Sequence, residues 1–153
     1  MPPKPPLLSP CTGCSRRAAL HGLGLVALVP LVGCTTSSSP DTGTATTCTG
    51  GLCLDLGDRA NRALLDINGA LLIDGGSDTI IVVRTTETTI IALSAVCTHS
   101  GCLVGYETSS ETVYCDCHGS RFAADGGVLA GPARRPLRQY VATLADTTIT
   151  IAL

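Results

Sequence analysis

The chain has no tryptophan, one phenylalanine, one methionine and three tyrosines in 153 residues. With aromatics at only 3%, a folded core must be assembled from Val, Ile, Leu and Ala. Charged residues are also sparse, at 14%, and no segment is dense in Lys or Arg. Nucleic-acid binding needs such a segment to neutralise phosphates, so a nucleic-acid partner is excluded. No apolar run is long enough to span a bilayer. The best candidate, ending at Val32, is about fifteen residues and contains Pro30, whereas a spanning helix needs roughly twenty. Against these absences stand nine cysteines, too many for an ordinary cytosolic protein of this size. They call for metal, disulfides or lipid. The length suits one modest domain plus a leader, not two full cores.

Residues 1–34 form that leader and are set apart from fold reasoning. Arg16-Arg17 precede the apolar run and resemble a twin-arginine signal, the export route for proteins that fold before crossing the membrane. An ordinary secretory signal holding two arginines is the alternative. Leu31-Val32-Gly33-Cys34 resembles a bacterial lipobox, which implies cleavage before Cys34 and its lipidation. An uncleaved leader kept as an anchor is the alternative there. Cys11 and Cys14 fall in the leader and receive no function. The Ser/Thr-rich stretch that follows reads as a flexible linker over 35–53, too polar to bury a core. Within it, Cys48 and Cys53 bracket a Gly-Gly pair and are candidates for a small disulfide loop. Without the leader, which holds Lys4, Arg16 and Arg17, seven basic residues face twelve acidic ones, a net charge of −5.

From residue 54 to 153 the pattern is all-β, in short β-prone runs separated by turn residues. Ala63–Ile67 and Ala70–Ile73 flank Asn68-Gly69, a strong hairpin signal. Thr79–Arg84 and Thr88–Ser94 flank a second turn, and Tyr140–Leu144 and Thr147–Ala152 a third at Ala145-Asp146. No long helix and no internal repeat is expected. The stretch of about 96–136 differs, being rich in glycine, cysteine and histidine and poor in apolar residues. The expected architecture is an antiparallel β base, from 54–95 and 137–153, with a loop-rich lobe at 96–136 inserted between its strands. An insertion of that kind requires the lobe's two ends to lie close together.

Two boxes in the lobe carry chemistry: Cys97-Thr98-His99-Ser100-Gly101-Cys102 and Cys115-Asp116-Cys117-His118-Gly119-Ser120. The chain has three histidines, and the one outside the boxes, His21, is in the leader. Each box can therefore supply one cysteine and one histidine to a metal. Four such ligands would also suit tetrahedral zinc. Cys102 and Cys117 are left over, and their placement suggests a disulfide tying the loops, possible in an oxidising compartment. No hydrolytic triad competes, because both histidines of the body are already taken.

The two boxes resemble the Rieske iron–sulfur family, in its disulfide-bearing branch. The resemblance extends to Gly126-Gly127-Val128, Gly131-Pro132-Ala133 and Pro136-Leu137, similar to the family's cluster-covering proline loop. It implies one 2Fe–2S cluster, with Cys97 and Cys115 on the inner iron and His99 and His118 on the outer one. Replacing two thiolates by neutral imidazoles makes the oxidised cluster neutral and raises its potential well above plant-type ferredoxins. The resemblance further implies that Ser120 donates to a bridging sulfide and favours the reduced form. Two departures stand out. Ser100 occupies the place of a leucine usual in quinol-oxidising members, and Phe122 that of a tyrosine which hydrogen-bonds a ligand sulfur. Both point to a somewhat lower potential and a partner other than quinol.

The expected function is one-electron transfer by an exported, lipid-tethered protein on the periplasmic or extracytoplasmic side. Its partner would be a cytochrome, a molybdoenzyme of the arsenite-oxidase kind or another oxidoreductase complex. The alternatives are the Rieske subunit of a quinol-oxidising cytochrome bc complex and, from a different class, a zinc-stabilised binding lipoprotein. An oxygenase ferredoxin is disfavoured by the leader and by Cys102 and Cys117. Asp116, Arg121, Arg134 and Arg135 lie beside the lobe and are candidates for steering a partner.

Overall fold

Runs rich in Val, Ile, Leu and Thr make strands because such side chains suit a pleated, half-buried surface, and the Gly, Asn and Asp between them supply turns. The computed structural model describes residues 41–153; the leader with Arg16, Arg17 and Cys34 lies outside the described residues. In chain order the strands are β1 (Asp41–Thr42), β2 (Thr46–Cys48), β3 (Gly51–Asp55), β4 (Ala70–Asp74), β5 (Thr79–Arg84), β6 (Ile90–Ser94), β7 (Gly105–Glu107), β8 (Thr112–Cys115), β9 (Ser120–Ala123), β10 (Val128–Ala130), β11 (Gln139–Tyr140), β12 (Ala142–Ala145) and β13 (Thr148–Ile151). They form three sheets, ordered β1-β4-β5-β6-β11, β12-β13-β3-β2 and β10-β9-β8-β7. The all-β base with an inserted lobe is therefore present. Its pairings are antiparallel except for β1, which runs parallel to β4.

Strand β5 joins the base to the lobe. Ile80, Ile81, Val82 and Val83 are all fully buried, and they alternate between two cores. Ile80 and Val82 pack with Leu54, Leu71 and Ile149 between the first two sheets. Ile81 and Val83 face the other way, into a core with Leu93, Val113, Phe122, Cys97 and Cys115. A period of two along a strand buried on both faces produces this division. The lobe leaves after β6 and returns at β11, which pairs back onto β6 through Gln139↔Leu93 and Tyr140↔Ala92. The Ser94 N–H donates to the Arg138 carbonyl at 2.8 Å, so the lobe's two ends meet.

Three expectations are corrected. The lobe is more regular than its glycines suggest, since it carries the four-stranded sheet β7–β10. The linker does not extend to residue 53. Residues 46–48 and 51–55 are paired strands, with β3 inside its sheet between β13 and β2. Threonine favours strands, and Leu52 and Leu54 alternate into the core. The Cys48–Cys53 disulfide closes the turn between β2 and β3, with Cα atoms 5.9 Å apart. Finally, residues 63–67 are not the first arm of a hairpin. Arg59–Leu65 is a 3-10 helix capped by Asp58, whose carboxylate accepts from the Ala60 N–H. Its buried residues, Asn61 and Leu64, stand three apart, the spacing that superposes in a 3-10 helix. Asn68, at φ 62°, then turns the chain into β4.

Asn61 is fully buried and polar. Its Oδ1 accepts from the Thr44 N–H at 2.8 Å, and its Nδ2 donates to the Thr44 and Asp55 carbonyls at 2.8 and 3.0 Å. One side chain thus fixes the segment after β1 and the end of β3. Asn61→Ala is expected to cost roughly 3 kcal/mol, because it strands buried backbone groups as well as losing bonds. Urea denaturation measures that cost, and hydrogen exchange should show the Thr44 amide opening before the core strands do.

Candidate metal centre

The first box follows β6 and the second is the turn between β8 and β9. In each, the N–H four residues on returns to the leading cysteine's carbonyl: Gly101 to Cys97 at 2.9 Å, and Gly119 to Cys115 at 2.9 Å. The first loop is also closed by the Cys97 N–H on the Cys102 carbonyl at 2.8 Å. The second is closed by the pairing of Cys115 with Ser120 across the β8–β9 ladder. Both glycines adopt left-handed backbone, at φ 75° and 77°. Nothing lies within 4 Å of a Cβ built at either, so conformation rather than space demands glycine there.

These two matching turns point their cysteines inward and their histidines outward. Cys97 and Cys115 are 3% and 2% exposed, and neither is in a disulfide. His99 and His118 are exposed, with ring centroids 4.7 Å apart, edge to face. Burial pushes the Cys97 thiol up. Hydrogen bonds from the His99 N–H, the Cys115 thiol, the Ser100 N–H and the Ser120 hydroxyl outweigh it and hold the group below its ordinary value. Cys115 is pushed up, first by burial, then by donating to Cys97 and by the negative charge there; N–H groups of Cys117 and His118 partly offset this. Without metal, the Cys97 thiol therefore holds its proton less tightly than the Cys115 thiol. Metal binding requires both to be deprotonated, and the backbone donors stand ready to accept that charge.

Cys102 and Cys117 are joined in a disulfide across the two loops, with Cα atoms 6.6 Å apart. Their sulfurs and that of Cys115 all lie within 4.8 Å of one another. That grouping is no metal site, because two of its three sulfurs are bonded together. The bridge lies close to the Cys115 thiol, and Cys97, His99, Cys115 and His118 are the remaining cysteines and histidines of the boxes that could hold a metal. Two thiols inside and two imidazoles outside suit a metal group with one thiolate-bound and one imidazole-bound end.

The segment 131–136 is fastened to both loops. The Ala133 N–H donates to the Ser120 Oγ at 3.0 Å, while the Thr98 hydroxyl donates to the Arg135 carbonyl at 2.6 Å. It begins with a cis peptide bond at Gly131-Pro132, and the Leu137 N–H bonds the Gly126 carbonyl at 3.0 Å just beyond it. Ser120 is fully buried and serves two partners, accepting from Ala133 and donating toward the Cys97 sulfur. Phe122 is fully buried in the same core as Cys97 and Cys115, and brings no hydroxyl to their sulfurs. Sequence reasoning missed the Thr98 latch, which depends on a partner 37 residues away. Arg121 is engaged in an ion pair with Glu107 at 3.0 Å.

Comparison with known proteins bears on this arrangement. The cytochrome b6-f complex iron-sulfur subunit of Chlorobaculum tepidum is 34% identical over 86 residues, covering 56% of this chain and 48% of that protein. The corresponding subunit of Gloeobacter violaceus is 41% identical over 81 residues, covering 52% and 44%. The chain thus spans about half the length of these curated relatives. Among solved structures, the cyanobacterial plasma membrane Rieske protein of Synechocystis superposes with a TM-score of 0.55 at 31% identity, covering 65% of this chain and 99% of that one. The ferredoxin of carbazole 1,9a-dioxygenase from Nocardioides aromaticivorans gives 0.50 at 25% identity, covering 57% and 86%. Residues 60–141 match the Rieske [2Fe-2S] domain. That span takes in both cysteine–histidine boxes, the disulfide between them and the segment that closes over them, so the chain belongs to the Rieske [2Fe-2S] family.

Proposed function

We propose that the protein transfers single electrons from an exported, membrane-tethered position, with Cys97, His99, Cys115 and His118 as the ligands of one 2Fe–2S cluster. The observation that carries this reading is the pairing of two free, buried thiols with two exposed imidazoles 4.7 Å apart at one tip. When bound, such a cluster exchanges one electron at a potential above that of all-thiolate clusters. The chain's own residues set the terms of that exchange. Backbone N–H groups of His99, Ser100, Cys117 and His118 surround the two sulfurs and stabilise negative charge on them. The buried cysteines keep water from one side, and the exposed histidines give a short path to a partner's redox centre. The family match favours the cluster over zinc.

The tether belongs to the same reading. Residues 1–34 act as a twin-arginine signal, Cys34 carries lipid, and the polar residues after it link the lipid to the folded body. Among the described residues no helix is long and apolar enough to cross a membrane, and the leader is the proposed attachment. A second reading, a subunit of a quinol-oxidising complex, is favoured by relatives named as cytochrome b6-f subunits. Ser100 and the buried, hydroxyl-free Phe122 weigh against it.

Three outcomes are expected. Iron and labile sulfide should be found in equal amounts, with an EPR signal after dithionite reduction, and His99→Ala or Cys115→Ser should lower bound iron more than ~10-fold; stoichiometric zinc and a silent spectrum would sink the proposal. Phe122→Tyr should raise the midpoint potential by roughly 40 mV, the one-electron equivalent of about 1 kcal/mol of hydrogen bonding that strengthens on reduction. Thr98→Val, which keeps the shape and removes the latch on Arg135, should speed loss of visible absorbance in excess chelator by about 5- to 10-fold. The strand signal in circular dichroism should not change.

A further inference from the structure

The charge around the centre runs opposite to that of the body. Described residues 41–153 contain seven arginines and no lysine against twelve carboxylates, and yet three of the seven arginines fall within 134–138. Arg134, Arg135 and Arg138 are all exposed, and none forms an ion pair among the described residues. Their backbone is fixed. Ala133 and Arg135 are held by the two box side chains, and Arg138 accepts from the Ser94 N–H. Arg135 and Arg138 line a groove of about 730 Å³ that also reaches His99 and Ser100. The carboxylate in that groove, Asp78, accepts the Tyr140 hydroxyl at 2.7 Å, and Arg138 stacks on the Tyr140 ring at 4.7 Å. Within the two boxes the one carboxylate, Asp116, belongs to the His118 loop. The positive side of the tip is therefore the His99 side.

Apolar surface adjoins it. Val96 and Leu103 bridge each other at the root of the first loop and are 36% and 55% exposed. Apolar residues beside arginines are common in protein docking patches, and Arg138, stacked on the Tyr140 ring, loses little freedom on binding. We propose that Arg134, Arg135 and Arg138, with Val96 and Leu103, dock an acidic redox protein against the His99 side of the tip. This rests on the reading that electrons leave through the exposed histidines. The body's net charge of −5 would repel such a partner at long range. At physiological salt, however, charges more than about 8 Å away are largely screened, so the nearest arginines set the sign of the interaction.

The test is stopped-flow reoxidation of the dithionite-reduced holoprotein by three oxidants: ferricyanide, the tris(phenanthroline)cobalt(III) cation and a small acidic c-type cytochrome. Rates with ferricyanide and the acidic cytochrome should fall as salt is raised, whereas the cobalt cation should show no such fall. The double variant Arg134→Gln/Arg135→Gln should slow both anionic oxidants about 10-fold at low salt. Its EPR spectrum and midpoint potential should be unchanged. Arg59→Gln/Arg62→Gln removes the same charge from exposed sites on the base and should leave the rates alone. Equal slowing by both double variants would make net charge the cause and overturn the proposal. So would slowing with ferricyanide but not with the cytochrome, since that leaves a local field without protein docking. A holoprotein that none of the three oxidants reoxidises would overturn the electron-transfer reading itself, and this proposal with it.

Discussion

Burying the Cys97 and Cys115 thiols side by side puts two groups that metal binding would make anionic into a core of Phe122, Leu93 and Val113. An unpaired charge in such surroundings is costly, and a thiol placed there ordinarily stays protonated. The two loops answer this constraint by folding their own N–H groups onto the sulfurs. That requires each chain to double back within four residues, which in turn requires glycine at 101 and 119. The disulfide prevents the loops from separating, and Ser120 and Thr98 secure the covering segment over them.

Support for the loops comes from the two-faced sheet beneath them. Ile81 and Val83 belong to the core that contains the thiols, while Ile80 and Val82 of the same strand belong to the base. The two cores therefore pack on opposite faces of β5 and have no side chain in common. The lobe's ends are clamped where β11 returns to β6. This division lets the metal centre respond to changes at Thr98 or Phe122 while the sandwich of β3, β4, β5 and β13 keeps its own packing. It also explains how a chain with one phenylalanine can form a stable body, since small branched side chains fill both narrow layers.

The candidate site stood out in the sequence because cysteine and histidine are chemically singular and the boxes repeat the same cysteine-to-glycine spacing. The last hairpin, around Asp146 at φ 52°, was legible from alternation and its turn. The 3-10 helix at Arg59–Leu65 was not, because a short apolar run next to Asn68-Gly69 fits a strand equally well. Its only local marks are the Asp58 cap and the spacing of Asn61 to Leu64. Strands β2 and β3 were hidden by a Thr/Cys/Gly composition that resembles a linker. The alternation of Leu52 and Leu54 was the available signal, and composition outweighed it. Thr98 and Asn61 act through partners distant in sequence, so no local pattern could reveal their roles.

Two electrostatic influences on the centre oppose each other. The acidic body disfavours an added electron, and the N–H donors around the sulfurs favour it. Distance decides between them. Most of the carboxylates are exposed, where water and salt screen them over about 8 Å. The donors lower the cost of charge on sulfurs set in an apolar core, where a hydrogen bond to a charged group is worth about 1.5–3 kcal/mol. Contact donors therefore govern how readily the buried sulfurs take on negative charge, and the body's charge governs how partners approach. A chain built this way can become more acidic over its surface, for solubility or to repel the wrong partners, with little change at the centre. Arg135 and Arg138 share a groove with the exposed His99, where approach matters most.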